Sequence, residues 1–412
     1  MKIISSRLTG KIDAIPSKSY AHRALICAAL ADGISNIYFD KTSDDIDATI
    51  GALIELGAKI NKRIYGVEVR GISKGEFPHL NMRESGSTFR FLLPVSATLY
   101  EECSFMGEGR LPERPISDLM EVMKLNGVEF DREKLPFKTF GNLKAGHYKL
   151  AGNVSSQYIS GLLMAAPIMD KAVEIALTTE LESKGYVDMT VQVMREFGAN
   201  VDFRDGIYSV EPIGYKNRDY VVEGDWSNAA FFLVAGAISD KIEMNNLNSD
   251  SLQGDRKVLE ILKDFGAEVE FGDTITVAKR DMKNIDVDLR DVPDLLPILS
   301  VLAASVNDGV SKFYNGERLR FKESDRLSTT AELITNLGGR VEEKESELWV
   351  YGTNGLRGGV VNSHNDHRIA MASAIASLIS EGDIFLNGAE AVNKSYPKFF
   401  EDFKKLGGKY EL

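Results

Sequence analysis

A chain of 412 residues is longer than one ordinary hydrophobic core requires, so two domains are expected. Its hydrophobic content of 43% and charged content of 27% are typical of a globular protein, and no apolar run approaches the roughly 18 residues that would span a bilayer. The 49 Lys and Arg residues against 61 Asp and Glu residues give a net charge of −12, which argues against nucleic acid as the main partner but allows a local cationic pocket.

The start of the chain and its cysteines favour a cytoplasmic location. Met1–Arg7 contains no apolar signal core, so no export signal is predicted. The two cysteines, Cys27 and Cys103, are too few for a disulfide framework or a zinc site. We therefore expect a cytoplasmic protein without a bound metal.

An internal repeat divides the chain into six units. In each unit a helical apolar pattern ends at a glycine and resumes as a strand, and successive glycines are 70, 71, 68, 72 and 69 residues apart. These glycines are Gly57, Gly127, Gly198, Gly266, Gly338 and Gly407. Glycine suits the position just after a helix, because the backbone there turns left-handed.

Each unit also contains a second, more apolar helix whose start keeps the same register. The starts fall near Ser19, Ser87, Ser156, Ser227, Asp294 and Asp366. Ser and Asp at these positions are predicted to be N-cap residues that bind free backbone N–H groups. A helix start is also partly positive and suits an anion, so both interpretations are open.

The unit is therefore predicted to be β-α-β-α with one or two further strands, with the apolar helices inside and the sheets around them. The sixth unit stops soon after its glycine, whereas Met1–Ile12 has strand character and no unit of its own. We expect this segment to complete the sixth unit, which would put both termini in one domain.

The predicted domains are 15–224, with repeats one to three, and 1–14 plus 225–412, with repeats four to six. The chain would cross between them near Ala14–Pro16 and Glu223–Asp225. Two neighbouring connections make a hinge, and a ligand cleft between the domains is expected.

Polar and cationic residues gather at the first two apolar helix starts. Cations are unfavourable beside the positive end of a helix, so Lys18 and Arg23, on either side of Ser19, indicate that an anion is expected there. At the second start, Gly86 would let a ligand approach backbone N–H groups closely.

Further candidates follow along the chain. Arg110 and Arg114 lie on a loop stiffened by prolines. The third helix start offers the hydroxyls of Ser155 and Ser156 and the amide of Gln157, which suit a phosphate or sugar hydroxyls. None of these groups is specific when taken alone.

Four cations occupy nine residues in Arg318–Arg326. If this segment is extended, Arg318, Arg320 and Lys322 leave one face, with Glu323 close behind. Cations at a strand-to-helix junction with one carboxylate suit a small polyanion that needs proton transfer. The alternative is a solvated, salt-bridged surface strand.

The last two units supply the remaining candidates. Asp294 follows a proline at a helix start, Asp366 and Arg368 open the sixth apolar helix, and Lys394 follows it. The sequence contains no Walker-type loop, dinucleotide-type glycine run or metal-ligand spacing.

Taken in order, these motifs resemble those of the 5-enolpyruvylshikimate-3-phosphate synthases (EPSP synthases). The matching residues are Lys18-Ser19-(x3)-Arg23, Gly86, Arg110-(x3)-Arg114-Pro115, Ser155-Ser156-Gln157, Lys322-Glu323-Ser324-Asp325-Arg326, Asn365-Asp366-His367-Arg368 and Lys394. The resemblance runs over essentially the whole chain and is jointly specific. It implies an α/β fold, the two-domain inside-out barrel of the enolpyruvyl transferases, with three βαβαββ units per domain and two crossovers.

The resemblance also implies an activity. Members of this family transfer the enolpyruvyl group of phosphoenolpyruvate to the 5-hydroxyl of shikimate 3-phosphate, releasing phosphate, in aromatic amino acid biosynthesis. The expected partners are these two small molecules, without a metal or organic cofactor, nucleic acid or membrane. A monomer is the family expectation.

Residue roles follow by similarity only. The residues expected to contact phosphoenolpyruvate are Lys18, Gly86, Arg114, Arg326, Arg368 and Lys394. Those expected to contact shikimate 3-phosphate are Ser19, Arg23, Ser155, Ser156, Gln157, Ser183, Tyr186, Asp294 and Lys322. The expected catalytic residues are Asp294, which contacts the reacting hydroxyl, Glu323, which serves the methylene carbon, and Lys18.

The chain departs from the family pattern at several positions. Family members commonly have Asn at Glu84 and Thr at Ser87, many have Pro at Phe91, and some have Pro at Gly185. At Arg318 others have an Asn that contacts shikimate 3-phosphate, so no contact is assigned to that arginine.

Two alternatives stay open, and only the second is from a different class. The sister enzyme that transfers enolpyruvate to UDP-N-acetylglucosamine has the same fold, but it typically carries a loop cysteine at the position of Gly109 and a Lys-Asn pair at Lys18-Ser19. A non-catalytic anion-binding homologue would keep the cations and lose the carboxylates, whereas Asp294 and Glu323 are both present.

Overall fold

The computed structural model describes residues 1–272 and 274–412. Contacts within the chain divide it into two compact units, Pro16–Val222 (the first unit) and Met1–Ile15 with Glu223–Leu412 (the second unit). These limits differ from the predicted 15–224 by one residue at one end and two at the other.

Helices alternate with groups of one or more strands along the chain. The helices are α1 (Lys18–Leu30), α2 (Asp44–Glu55), α3 (Gly86–Leu99), α4 (Ser117–Leu125), α5 (Ser156–Ala165), α6 (Lys184–Glu196), α7 (Trp226–Ile238), α8 (Val258–Phe265), α9 (Leu296–Ala304), α10 (Arg326–Asn336), α11 (His367–Ala376) and α12 (Phe399–Lys405). The strands are β1 (Lys2–Ile4), β2 (Gly10–Asp13), β3 (Ala31–Asp32), β4 (Ile34–Tyr38), β5 (Lys59–Arg63), β6 (Gly66–Arg70), β7 (His79–Asn81), β8 (Glu102–Met106), β9 (Glu129–Phe130), β10 (Phe137–Phe140), β11 (His147–Leu150), β12 (Val173–Leu177), β13 (Val201–Arg204), β14 (Ile207–Val210), β15 (Tyr215–Lys216), β16 (Tyr220–Val221), β17 (Lys241–Asn245), β18 (Glu268–Glu270), β19 (Ile275–Ala278), β20 (Val287–Asp288), β21 (Val310–Tyr314), β22 (Arg340–Glu343), β23 (Leu348–Tyr351), β24 (Gly359–Asn362), β25 (Ile384–Asn387) and β26 (Lys409–Glu411).

One sheet pattern recurs through both units. Within the described residues there are six four-stranded sheets. In the sheet of the second repeat, β7 runs parallel to β8, and the apolar helix α3 connects these two strands. β10 then pairs antiparallel with β8 and with β9. This is the predicted βαβαββ unit, with a parallel crossover followed by a hairpin.

The N-terminal strands enter two different sheets. β1 pairs antiparallel with β25 and β26, so it completes the sheet of the sixth repeat as predicted. β2 instead runs parallel to β17 in the sheet of the fourth repeat, so the prediction that all of Met1–Ile12 belongs to the sixth repeat is wrong. The fourth repeat needs a parallel strand before α7, and β2 supplies it.

The six repeat glycines all have a left-handed backbone. Their φ angles lie between +84° at Gly338 and +110° at Gly407. This confirms the predicted turn, because residues with a Cβ rarely adopt these angles.

The apolar helices form the interior of each unit. In the first unit α1, α3 and α5 bury most of their residues, and in the second α7, α9 and α11 do the same. The close packing of α3 on α5 requires Gly161, because a Cβ there would collide with the carbonyl oxygen of Arg90. The remaining long helices are amphipathic and cover the sheets.

The predicted N-caps are displaced by one or two residues at four helix starts. The side chains that accept the first free N–H groups belong to Ser17, Ser85, Ser155 and Asp225. Ser19, Ser87, Ser156 and Ser227 lie in the first turns, where their hydroxyls are available for other contacts. Asp366 caps α11 as predicted, accepting from the backbone N–H of Arg368 at 2.9 Å.

Candidate functional site

A buried arginine in the second unit binds three carboxylates. Arg326 is 1% exposed, and its guanidinium donates to Asp366 at 3.0 and 3.3 Å, to Asp294 at 2.6 Å and to Glu323 at 2.5 Å. Burial lowers the pKa of Arg326, but Asp366, Glu323 and Asp294 outweigh burial and raise that pKa above its ordinary value. The guanidinium is thus held as a cation in one orientation.

Asp294 joins this arginine to a second one. It lies in a 3-10 helix, Pro293–Leu295, and its Oδ2 accepts from Nη2 of Arg368 at 3.0 Å. Burial by itself would raise the pKa of Asp294, but Arg368, Lys322 and Arg326 hold the pKa well below its ordinary value. Asp294 is therefore an ionised carboxylate at neutral pH, and the N-cap residue of α9 is Leu295 instead of the predicted Asp294.

The two candidate lysines of this unit have different surroundings. Lys322 has its Nζ 3.9 Å from Oδ1 of Asp294, and burial lowers its pKa to about 8 although Asp294 opposes the shift. Lys394 lies at the end of a 3-10 helix and donates to the carbonyl of Asn365 at 2.6 Å. Lys322 therefore joins Arg326, Arg368 and the carboxylates of Asp294, Glu323 and Asp366, which together are called the Arg326 cluster. Lys394 contacts the backbone beside Asp366.

The cationic segment before α10 is not a strand. Glu317–Phe321 forms a 3-10 helix, in which alternate side chains do not share a face. Arg318 donates to a backbone carbonyl at 2.7 Å, and Arg320 pairs with two half-exposed carboxylates at 2.9 Å each. The predicted common face of Arg318, Arg320 and Lys322 is therefore wrong.

In the first unit, the start of α1 carries two fixed cations. Nζ of Lys18 lies 2.6 Å from Oδ2 of Asp45, with both side chains mostly buried. Arg23 donates to the carbonyls of Ser19 at 2.7 Å and Tyr186 at 2.9 Å, and to a buried threonine hydroxyl at 2.7 Å. Burial lowers the pKa of Arg23 to about 10, which leaves it cationic at neutral pH.

Gly86 lies against two guanidinium groups. A Cβ at this first residue of α3 would be 2.5 Å from Nη1 of Arg114 and 2.7 Å from Nη1 of Arg90. Arg90 in turn donates to Oε1 of Gln157 at 3.0 Å. The absence of a side chain at Gly86 thus allows both cations to approach the start of the helix.

The remaining sequence candidates surround the starts of α5 and α6. Ser155 caps α5, Ser156 is buried in its first turn, and Gln157 donates to the hydroxyl of Ser87 at 2.9 Å. Ser183 precedes α6 with a left-handed φ of +53°, and its carbonyl accepts from the N–H of Tyr186 at 3.0 Å. Gln157 thus ties α5 to α3, as the Tyr186 carbonyl ties α6 to α1.

Asp45 and Asp366 were not predicted to hold these cations. Asp45 lies in the first turn of α2, where an acidic residue is ordinary, and Asp366 was assigned only a capping role. A signal for Asp45 existed, since Asp44 and Asp45 follow Ser43 at a helix start in the same unit as Lys18. It could not reveal which of the two acids meets the lysine.

Two properties of the described residues bear on metal binding and on membrane insertion. Among the described residues, no group of three or more His, Cys, Asp or Glu side chains is arranged to hold a metal ion. Within the same residues, no helix combines the length and apolar character needed to cross a membrane.

The family model described as EPSP synthase (3-phosphoshikimate 1-carboxyvinyltransferase) matches residues 3–403. The chain belongs to the EPSP synthase family. A relative from Clostridium beijerinckii named 3-phosphoshikimate 1-carboxyvinyltransferase is 42% identical, with 100% of this chain and 98% of the relative covered. One of the same name from Clostridium kluyveri is 43% identical, with 100% and 99% covered.

Solved structures agree with this assignment. The EPSP synthase of Acinetobacter baumannii superposes with a TM-score of 0.81 at 25% identity, covering 98% of each chain. The enolpyruvyl transferase NikO of Streptomyces tendae has a TM-score of 0.79 at 16% identity, covering 99% of this chain and 97% of that one. The fold is therefore the two-domain α/β fold of the enolpyruvyl transferases.

Proposed function

We infer that the protein transfers the enolpyruvyl group of phosphoenolpyruvate to the 5-hydroxyl of shikimate 3-phosphate and releases inorganic phosphate. The observation that carries this inference is the family match over residues 3–403, with relatives of the same enzyme name aligned to the whole chain. The reaction is a step of aromatic amino acid biosynthesis.

We assign the carboxylate of phosphoenolpyruvate to Arg326 and Arg368. Both side chains are buried and share the carboxylate of Asp294, which fixes their orientation. A guanidinium stays charged at neutral pH and donates charge-assisted hydrogen bonds to a carboxylate, so two pre-oriented guanidiniums suit this group.

We assign the phosphate of phosphoenolpyruvate to Lys18, the backbone of Gly86, Arg114 and Lys394. Support comes from the start of α3, where Arg114 lies beside backbone N–H groups that also favour an anion. Lys18, held by Asp45, supplies a further positive charge and would stabilise the charge that develops on the departing phosphate.

We assign shikimate 3-phosphate to a set of hydroxyls, amides and cations. The residues are Ser19, Arg23, Ser155, Ser156, Gln157, Ser183, Tyr186, Asp294 and Lys322. The contacts of Arg23 and Gln157 with neighbouring helix starts support this proposal, because they pre-order these polar groups. Arg23 acts partly as the group that orders Ser19 and Tyr186.

Two carboxylates carry the proton transfers in this proposal. Asp294 takes the proton of the 5-hydroxyl as its oxygen bonds to C2 of phosphoenolpyruvate, and Glu323 gives a proton to the methylene carbon, C3. A tetrahedral intermediate results. The C2–O bond to phosphate then breaks, Glu323 takes a proton back from C3 to restore the double bond, and Asp294 returns its proton to the departing phosphate.

The substitution Gly86→Ala is expected to raise the KM for phosphoenolpyruvate about tenfold, which corresponds to a loss of about 1.4 kcal/mol in binding free energy. The new Cβ would displace the guanidinium of Arg114. Gly51→Ala is the matched control, because among the described residues nothing lies within 4 Å of a Cβ at this exposed position in α2. An unchanged KM in Gly86→Ala would contradict the phosphate assignment.

The acceptor is tested by phosphate release measured separately with shikimate 3-phosphate and with UDP-N-acetylglucosamine, each in the presence of phosphoenolpyruvate. We expect phosphate release with shikimate 3-phosphate and no release with UDP-N-acetylglucosamine. Gly109 supports this choice, since it has a left-handed φ of +55° and a Cβ there would collide with Glu84, which disfavours a cysteine at this position. Release with neither acceptor would identify a non-catalytic homologue.

We further propose that the protein acts in the cytoplasm as a monomer. Its cysteines, Cys27 and Cys103, are both free and buried, which suits a reducing compartment. A single peak near the monomer mass of 45.5 kDa in size-exclusion chromatography with light scattering is the expected result.

A further inference from the structure

A buried carboxyl group in the second unit is connected through one hydroxyl to the Arg326 cluster. Asp255, in the 3-10 helix Gly254–Lys257, is 2% exposed. Its Oδ2 makes a short hydrogen bond with the hydroxyl of Ser227. Its Oδ1 has no hydrogen-bond partner among the residues that the structure describes. A buried carboxylate with one unsatisfied oxygen is costly, which favours a group that can hold a proton.

Ser227 connects this carboxyl group to Arg368. Its hydroxyl accepts from Nη2 of Arg368 at 2.7 Å, and the same nitrogen donates to Asp294 at 3.0 Å. An arginine can only donate, so the single hydroxyl proton of Ser227 is free to point at an ionised Asp255. When Asp255 is protonated, it can donate to Ser227 instead.

The charged groups facing Asp255 come from three other elements. They are Arg368 of α11, Asp294 of the 3-10 helix before α9, and Asp225, the cap of α7. On its own helix, Lys257 pairs with Asp291 and Arg256 donates to a backbone carbonyl. Burial, reinforced by Asp294 and Asp225, raises the pKa of Asp255 to about 7, although Arg368 and Ser227 oppose the shift.

We propose that Asp255 is a positioning residue that acts through Ser227 on Arg368 and takes up a proton from solvent when an anionic carboxylate binds to that arginine. The proposal rests on the assignment of the phosphoenolpyruvate carboxylate to Arg368. A new negative charge on Arg368 disfavours ionised Asp255 by like-charge repulsion. Linkage then requires that protonated Asp255 favours binding of the anion.

The test compares KM for phosphoenolpyruvate in the wild type and in Asp255→Asn from pH 6 to pH 8. Asn is uncharged at every pH and imitates the protonated acid. The ratio of wild-type KM to Asp255→Asn KM is expected to rise about 2.5-fold over this range, which corresponds to a half-unit change in the pKa of Asp255 on binding. Taking the ratio cancels the titration of the substrate phosphate.

Two further variants complete the test. Asp402→Asn is the control, since Asp402 is a second carboxyl whose pKa is raised mainly by burial, but it is only partly buried and bonds to Tyr396. Its KM is expected to follow the wild type at every pH. Ser227→Ala removes the hydroxyl that connects Asp255 to Arg368, so the ratio of wild-type KM to Ser227→Ala KM should also rise with pH, which keeps the inference testable if Asp255→Asn does not fold.

Thermal unfolding without substrate tests whether Asp255 is protonated in the folded protein. The pKa of Asp255 in the folded protein, about 7, lies above its ordinary value of 3.8. Stability relative to Asp255→Asn should therefore be greatest at low pH and be lost as the pH rises through about 7. A KM ratio that stays constant while turnover is intact, or that changes equally with Asp402→Asn, would overturn the inference. Absence of turnover in the wild type would instead overturn the proposed function.

Discussion

Replacement of Asp294 by Asn is expected to lower kcat by about 10²–10⁴-fold, the range that a positioned acid or base contributes. Asn keeps the shape of the side chain but cannot accept a proton from the hydroxyl. Because Asp366 and Glu323 still hold Arg326, the KM for phosphoenolpyruvate should change much less than kcat. Initial rates of phosphate release, with each substrate varied in turn, measure both constants.

Asp325→Asn is the matched control for this experiment. Asp325 also pairs with an arginine, Arg320, at 2.9 Å, and its side chain caps α10. The chemical change is the same, but Asp325 lies outside the proposed proton path, so the wild-type kcat is expected. A wild-type kcat in Asp294→Asn would contradict the role of Asp294.

Replacement of Arg326 by Gln is expected to reduce kcat/KM for phosphoenolpyruvate by about 10–100-fold. This range corresponds to one charge-assisted hydrogen bond of about 1.5–3 kcal/mol, because the other four N–H groups of Arg326 already bind Asp366, Asp294 and Glu323. The free energy of unfolding should also fall by about 3–5 kcal/mol, because three mostly buried carboxylates lose their shared cation. Steady-state kinetics and thermal unfolding followed by circular dichroism measure the two effects.

Arg320→Gln separates the loss of a substrate contact from the loss of an ion pair. Arg320 also bridges two carboxylates, Asp325 and Glu343, but all three side chains are at least a quarter exposed. Exposed ion pairs contribute about 0–1 kcal/mol, so this variant should be nearly as stable as the wild type and fully active. Retention of kcat/KM in folded Arg326→Gln would show that the carboxylate is bound elsewhere.

The repeat could be predicted from sequence because its signals are local. A glycine such as Gly57, with a φ of +97°, is required by its own backbone, whatever the rest of the chain does. The capping positions were less certain, since Ser17 and Ser19 both suit a helix start and only the backbone geometry selects Ser17. The pairing of β2 with β17 joins segments far apart in sequence, and no local pattern indicates it.

The candidate site shows the same division. Its cations were predicted from motifs, but their carboxylate partners depend on tertiary contacts, as for Arg326 and Asp366, which are 40 residues apart. The error at Arg318 and Arg320 came from assuming an extended backbone, whereas a 3-10 helix turns these side chains to different neighbours. Asp255 gave no sequence signal, since an acidic residue in the first turn of a helix is ordinary.

A carbon-13 NMR time course with phosphoenolpyruvate labelled at C2, together with a phosphate assay, tests the proposed transfer most directly. With shikimate 3-phosphate present, the labelled carbon should move into an enol ether, and one phosphate should be released for each ether formed. Labelled pyruvate in equal amount to phosphate would show hydrolysis in place of transfer. That result, or an unchanged spectrum with folded protein, would contradict the proposed reaction.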